Sequence, residues 1–246
     1  MKSIARHYPH RESGIPLEEI HGLNRYAAGD ANFSLVCEAG TISFTGLFKD
    51  DKGLGDYKFT PDASYLSALR NLGYENVASE KMLSLMIFDV TTKFIQEMTL
   101  LGYAKLPMDK LISFRIFCAE GEFIRGLRLL GYSEVPADKL VALKIHKADE
   151  AFIRQMQAAG LGELSLDKLI SFRIHKVSPE FIREMKDLGY SDLAADKLVA
   201  FRIHKIDGKF VRGLRDQGYE KLSADELIRL KIFGVDSEYI KRMKGR

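Results

Sequence analysis

A glycine followed by an aromatic residue returns every 29 residues through most of this chain, and that period restricts its fold more than any other feature. The series runs Gly73-Tyr74, Gly102-Tyr103, Gly131-Tyr132, Gly189-Tyr190 and Gly218-Tyr219, with Gly160-Leu161 filling the remaining place. The text between the glycines is conserved from copy to copy, so that Asp167–Lys176 and Asp196–Lys205 are nearly identical. A unit this short cannot bury its own apolar faces. Neighbouring copies must cover one another, and the array is expected to be an α-solenoid of about six helix-turn-helix units.

Each copy reads as two short helices. The second has a cap column of Thr91, Glu120, Asp149, Ser178, Asp207 and Asp236, and Pro179 stands at a first helical position. An apolar residue precedes each cap (Val90, Ala119, Ala148, Val177, Ile206, Val235) and another follows at the fourth helical position (Ile95 through Ile240), the pattern of a hydrophobic staple. The Gly is the closing C′ residue. The first helix, about Asp196 to Lys205 in one copy, is apolar around most of its circumference and is expected to lie inside.

Residues 1–62 do not repeat and form a separate amino-terminal part, ahead of a repeat domain over 63–246. Pro16–Leu23 reads as a short helix. Beyond it, alternation through Phe33–Cys37, Ile42–Phe48 and Tyr57–Phe59, broken by turn residues, predicts a three-stranded antiparallel meander. Too small to stand alone, it is expected to cap the open end of the array against the helix at Tyr65–Leu72.

The run Ile174–Met185, with its Gly189-Tyr190 closure, resembles a bacterial helical repeat that follows penicillin-sensor-type membrane metallopeptidases and occurs in related stand-alone proteins. The segment Glu38–Gly46, followed by Phe59–Asp62, is similar to the stretch preceding such repeats. The resemblance covers roughly residues 30–246 and implies an accessory or sensing region. It carries no peptidase activity over, because the chain has no His-Glu-x-x-His. Where such repeats often have Gly after the His, this chain has Lys147, Lys176 and Lys205.

A solenoid turns each repeated position into a physical row, and three rows are candidate binding residues. The first is Arg115, Lys144, Arg173, Arg202 and Lys231, which falls inside the apolar arc of the first helix. Cations there either lie on the core with their heads on carbonyls and carboxylates, or line one wall of a groove. The second is His146, His175 and His204, and the third Lys147, Lys176 and Lys205. Neighbouring members of one row, about 8–10 Å apart, are too widely spaced for two histidines to share an ion, so no metal is expected. Asp109, Asp138, Asp167, Asp196 and Asp225 lie at the opposite end, where a helix start favours acids.

Charge narrows the function classes. Residues 1–64 carry 7 Lys and Arg against 9 Asp and Glu; with +3 on the whole chain, +5 is left for residues 65–246. Two cysteines, Cys37 and Cys118, make no disulfide framework, and no catalytic or phosphate-binding motif occurs. The reading is a non-enzymatic scaffold without cofactor that binds a protein or peptide along one face. Nucleic-acid binding through the Arg and Lys rows and self-association into a homodimer are the alternatives. No run approaches a membrane span and the polar amino terminus has no apolar h-region. The compartment expected is therefore the cytoplasm, or the periplasm for a secreted protein shorn of its leader.

Overall fold

The computed structural model describes residues 20–22, 29–49 and 52–245. It is mostly helical, with an antiparallel sheet at the amino-terminal end. Strands β1 (Ile20–His21), β2 (Gly29–Cys37), β3 (Gly40–Lys49) and β4 (Lys52–Pro61) lie side by side in chain order. Thirteen α-helices follow: α1 (Ala63–Asn71), α2 (Ser79–Ile87), α3 (Thr92–Leu100), α4 (Met108–Phe117), α5 (Gly121–Leu129), α6 (Ala137–Ile145) and α7 (Glu150–Met156), then α8 (Leu166–Ile174), α9 (Pro179–Asp187), α10 (Ala195–Ile203), α11 (Gly208–Arg215), α12 (Ala224–Ile232) and α13 (Ser237–Lys244). The described residues up to Gly126, with Val135–Val141, form one compact unit; Leu127–Glu134 and the described residues from Ala142 onward form a second.

The sheet has four strands where three are expected. Ile20 pairs with Leu35 and His21 with Ser34, so these two residues of the expected Pro16–Leu23 helix are extended, and Gly22 follows them as a bend; the rest of the expected helix lies outside the described residues. An eight-residue helix is marginal by itself, whereas the outer edge of β2 offers unpaired backbone groups for Ile20–His21 to satisfy. On one face Phe33 stacks on Phe44 at 4.6 Å and Tyr57 follows at 6.5 Å, in the register that pairs these three residues. Through β3 and β4 the sheet packs against α2. The β2–β3 turn also reaches α3, where Glu38 accepts the Thr92 amide at 3.1 Å.

Capping follows the sequence closely. Thr91, Asp149, Ser178, Asp207 and Asp236 each accept the backbone N–H three residues on. The staple residues ahead of them, Val90, Ala148, Val177 and Ile206, are buried, as are Ile95, Ile153, Ile182 and Val211 behind. At the far end Gly73, Gly102, Gly131, Gly189 and Gly218 hold φ between 84° and 100°. The tyrosine after each donates its amide to the carbonyl five residues back at 2.8–3.1 Å, which is a Schellman closure.

The same tyrosines use their hydroxyls in a way the sequence does not announce. Tyr74, Tyr103, Tyr132 and Tyr190 donate to the carbonyls of Leu106, Val135, Leu164 and Leu222, always 32 residues ahead, at 2.6–3.0 Å. Burial raises the phenol pKa of Tyr74, Tyr132 and Tyr190, which keeps the donor protonated. Tyr103→Phe is expected to cost about 1 kcal/mol in urea unfolding, since it strands one carbonyl without changing volume.

Leu85, Phe114, Leu143, Phe172 and Phe201, one column of the first helices, are fully buried, as are Met98, Leu127, Met185 and Leu214 of the second. In the last copy the counterparts open, Leu230 to half-buried and Met243 to 55% exposed. Leu227 stays fully buried, where α12 packs against α10. Ile232 is exposed for another reason: its column faces solvent in every copy from Ile116 onward.

Candidate functional site

The first basic row is held by the core. The guanidinium of Arg115 lies over the Phe94 ring at 5.2 Å, Arg173 over Phe152 at 4.1 Å, Arg202 over Phe181 at 4.9 Å, and the Lys231 ammonium over Phe210 at 4.4 Å. Each Arg Nε also donates to a carbonyl at the end of the preceding first helix: Phe88 at 3.2 Å, Lys147 at 2.6 Å and His175 at 3.4 Å. A cation there offsets the negative end of that helix. Lys144 is half-buried at the equivalent position, and Met86 stands there in the first copy.

Arg115 differs from the others by having acids on both sides. Asp89 lies at 2.6 Å and Glu120 at 3.1 Å, with side-chain exposures of 31% and 15% against 14% for the arginine. Glu120 occupies the cap column, and its carboxylate accepts from Arg115. Burial pushes its pKa up to about 7, against the lowering effect of Arg115 itself.

The histidine and lysine rows share one piece of backbone. His175 and His204 are the C-cap residues of α8 and α10, and His146 follows α6 directly; all three are half-buried. Lys147, Lys176 and Lys205 come next, with φ of 56°, 57° and 55°, the left-handed region that glycine adopts most easily. In front of each His stands an isoleucine with about half of its surface open: Ile145 at 48%, Ile174 at 50% and Ile203 at 51%. Ile-His-Lys is thus presented three times on the second unit, at the ends of α6, α8 and α10. All three lysines are exposed.

The lysines are held against a conformational preference. A non-glycine residue in the left-handed region costs about 1 kcal/mol. Lys176→Gly should therefore raise stability by about that amount, measured by urea unfolding. The same left-handed backbone recurs at Asp89, Cys118 and Gly234 of this column, so it closes the first helix in those copies as well.

A fourth row joins successive copies. Lys81, Lys110, Lys168 and Lys197 pair with Asp109, Asp138, Asp196 and Asp225, each 28 residues ahead. The acids stand at helix starts, and their lysine partners lie on the preceding copy. In the last copy Glu226 takes the lysine's place and closes a capping box with Ser223. The signal was available as a lysine column one position after the aspartate column.

Among the described residues no group of three or more His, Cys, Asp or Glu is placed to hold a metal ion, and no helix is long and apolar enough to cross a membrane. No protein-family model, no curated protein and no solved structure matches this chain.

Proposed function

We propose that the helical array is an α-solenoid scaffold, and that the Ile-His-Lys row of its second unit binds an extended segment of a protein partner that alternates acidic and apolar residues. The observation that carries this reading is the threefold recurrence of an open isoleucine beside an exposed, left-handed lysine. Isolated surface isoleucines are ordinary, but a column of them is not scattered. With copies roughly 10 Å apart, an extended chain rising about 3.3 Å per residue would pass all three in roughly seven residues. Its carboxylates would meet Lys147, Lys176 and Lys205, and its apolar side chains Ile145, Ile174 and Ile203.

Nucleic acid is less well served by the same surface. The heads of Arg173 and Arg202 are engaged by rings and carbonyls, which leaves the lysines without the neighbouring cations a phosphate track uses. The test is fluorescence anisotropy with labelled peptides of about ten residues alternating Glu with Leu, beside labelled single- and double-stranded nucleic acid at about 50 and 200 mM salt. Saturable peptide binding, lost in Lys176→Glu and in Ile174→Ser, is the expected result. Steeply salt-dependent nucleic-acid binding with no peptide binding would replace this reading with the other.

A further inference from the structure

The sheet ends on β4 with one edge bare. β4 pairs with β3 along its length, and among the described residues no backbone group of Lys52–Pro61 bonds to anything beyond that strand. Which groups are left over follows from the bond just past its end, where the Asp62 amide donates to the Ala39 carbonyl at 3.1 Å. Alternation back from there turns the N–H and C=O of Thr60, Lys58, Asp56 and Leu54 toward β3. Those of Phe59, Tyr57, Gly55 and Gly53 point outward. A free edge ten residues long is a template for another strand, and proteins commonly block such an edge with lysine, proline or a covering segment. β4 carries Lys58, but Asp56 stands two residues away on the same face, so the edge is not uniformly repulsive.

That arrangement is self-complementary. Asp56 and Lys58 flank Tyr57, both are exposed, and neither makes an ion pair with a described residue. When β4 is set antiparallel to a second β4 about a two-fold axis through Tyr57, Asp56 of each copy stands opposite Lys58 of the other. These are non-hydrogen-bonded pairs, whose side chains approach most closely. The outward groups then meet: Tyr57 exchanges both backbone bonds with its mate, and Gly55 exchanges both with Phe59. Other registers lose the match. A slip of two residues one way sets Asp56 against Asp56, and the other way Lys58 against Lys58, and like charges directly opposite are destabilising. Tyr57 is 62% exposed at the open end of the row Phe33, Phe44, Tyr57, so pairing continues the row across the axis with a ring of the second copy.

We propose that β4 pairs with β4 of a second copy of this chain, antiparallel and centred on Tyr57, so that the two four-stranded sheets become one. The interface is isologous, each copy giving the same strand and receiving it. It lies wholly in the first unit and does not depend on the Ile-His-Lys row. One strand pair covers less surface than a standard interface, which makes the dimer a weak one, with a dissociation constant of about 50 µM.

The experiment is sedimentation equilibrium of the full chain from about 5 to 500 µM. A monomer–dimer equilibrium is expected. Asp56→Lys and Lys58→Asp each set like charges opposite one another at both pairs, and each should weaken the dimer about tenfold or more. An equimolar mixture of the two variants should dimerise as the parent does, because every charge on one variant then meets its opposite on the other. Both positions are exposed, so both variants should melt with the parent. Amide exchange locates the contact: the amides of Gly55, Tyr57 and Phe59 should slow as concentration rises, while those of Asp56 and Lys58 should not change. A monomer at about 500 µM would overturn the proposal and leave the edge to a strand of another protein. A dimer indifferent to both substitutions, a mixture that associates no better than either variant alone, or a dimer that leaves the three outward amides unprotected would overturn it equally, by placing the contact elsewhere.

Discussion

Arg115→Met should cost about 3 kcal/mol at neutral pH, whereas Arg202→Met should cost about 1 kcal/mol or less, although the two arginines occupy the same column. The alkyl part is replaced by a side chain of similar shape in both cases, so the difference isolates the charged head. At Arg202 the head lies over Phe181 at 4.9 Å and donates to the His175 carbonyl at a long 3.4 Å. Contacts of that kind contribute modestly. At Arg115 the head separates two carboxylates, Asp89 and Glu120, of which the second is 15% exposed. Removing the cation leaves two half-buried acids, Glu120 and Asp89, facing each other without the positive charge between them, and loss of one member of such a group is strongly destabilising. Urea unfolding at pH 7 measures both variants. Equal losses would mean that the acids contribute nothing and that the ring and carbonyl contacts are the whole of the arginine's role.

The contrast shows how far the sequence could be read. Periodicity and local chemistry were legible because their causes are local: Ser178, Pro179 and Gly189 mark the limits of α9 by their own backbone preferences, and the helix forms where they place it. What joins one copy to the next was not legible. The Tyr103 hydroxyl finds the Val135 carbonyl 32 residues on, and Lys110 finds Asp138 28 residues on, so neither pair shares a helix or a turn. Their types are ordinary for exposed or capping positions, and only the stacking of helices brings them together. For the basic row the two readings open in sequence, core-bound or groove-lining, differ only in where a flexible head points. The structure places Arg115, Arg173, Arg202 and Lys231 against phenylalanine rings. The lysines after the histidines carried no sign that their backbone is left-handed, apart from the glycine that takes their place at Gly234. At the amino terminus the short β1 was missed because two residues are too few to show alternation.

Stability should fall as pH rises from about 4.5 to 7, and Glu120 is the reason. Its ordinary pKa of 4.5 is raised to about 7 in the folded chain, first by burial and then by the charges of Glu97 and Asp89, with Arg115 opposing. The folded state therefore holds a proton that the unfolded state releases in that window. Folding is favoured by the protonated form, so the contribution is complete below about pH 4.5 and is lost as pH climbs through 7. A displacement of that size corresponds to about 3 kcal/mol. Asp62, Glu180, Asp225 and Glu226 act in the opposite sense, each lowered by a hydrogen bond to its ionised form, but they lie at the surface and titrate below the window. Glu120→Gln removes the titration while leaving an amide oxygen to accept from Arg115. In the variant, thermal and urea unfolding should be nearly flat from pH 4.5 to 7 and should exceed the parent at pH 7.5. A parent whose stability rises across that range would show that the ion pair with Arg115 outweighs burial and that Glu120 is ionised in the folded chain throughout.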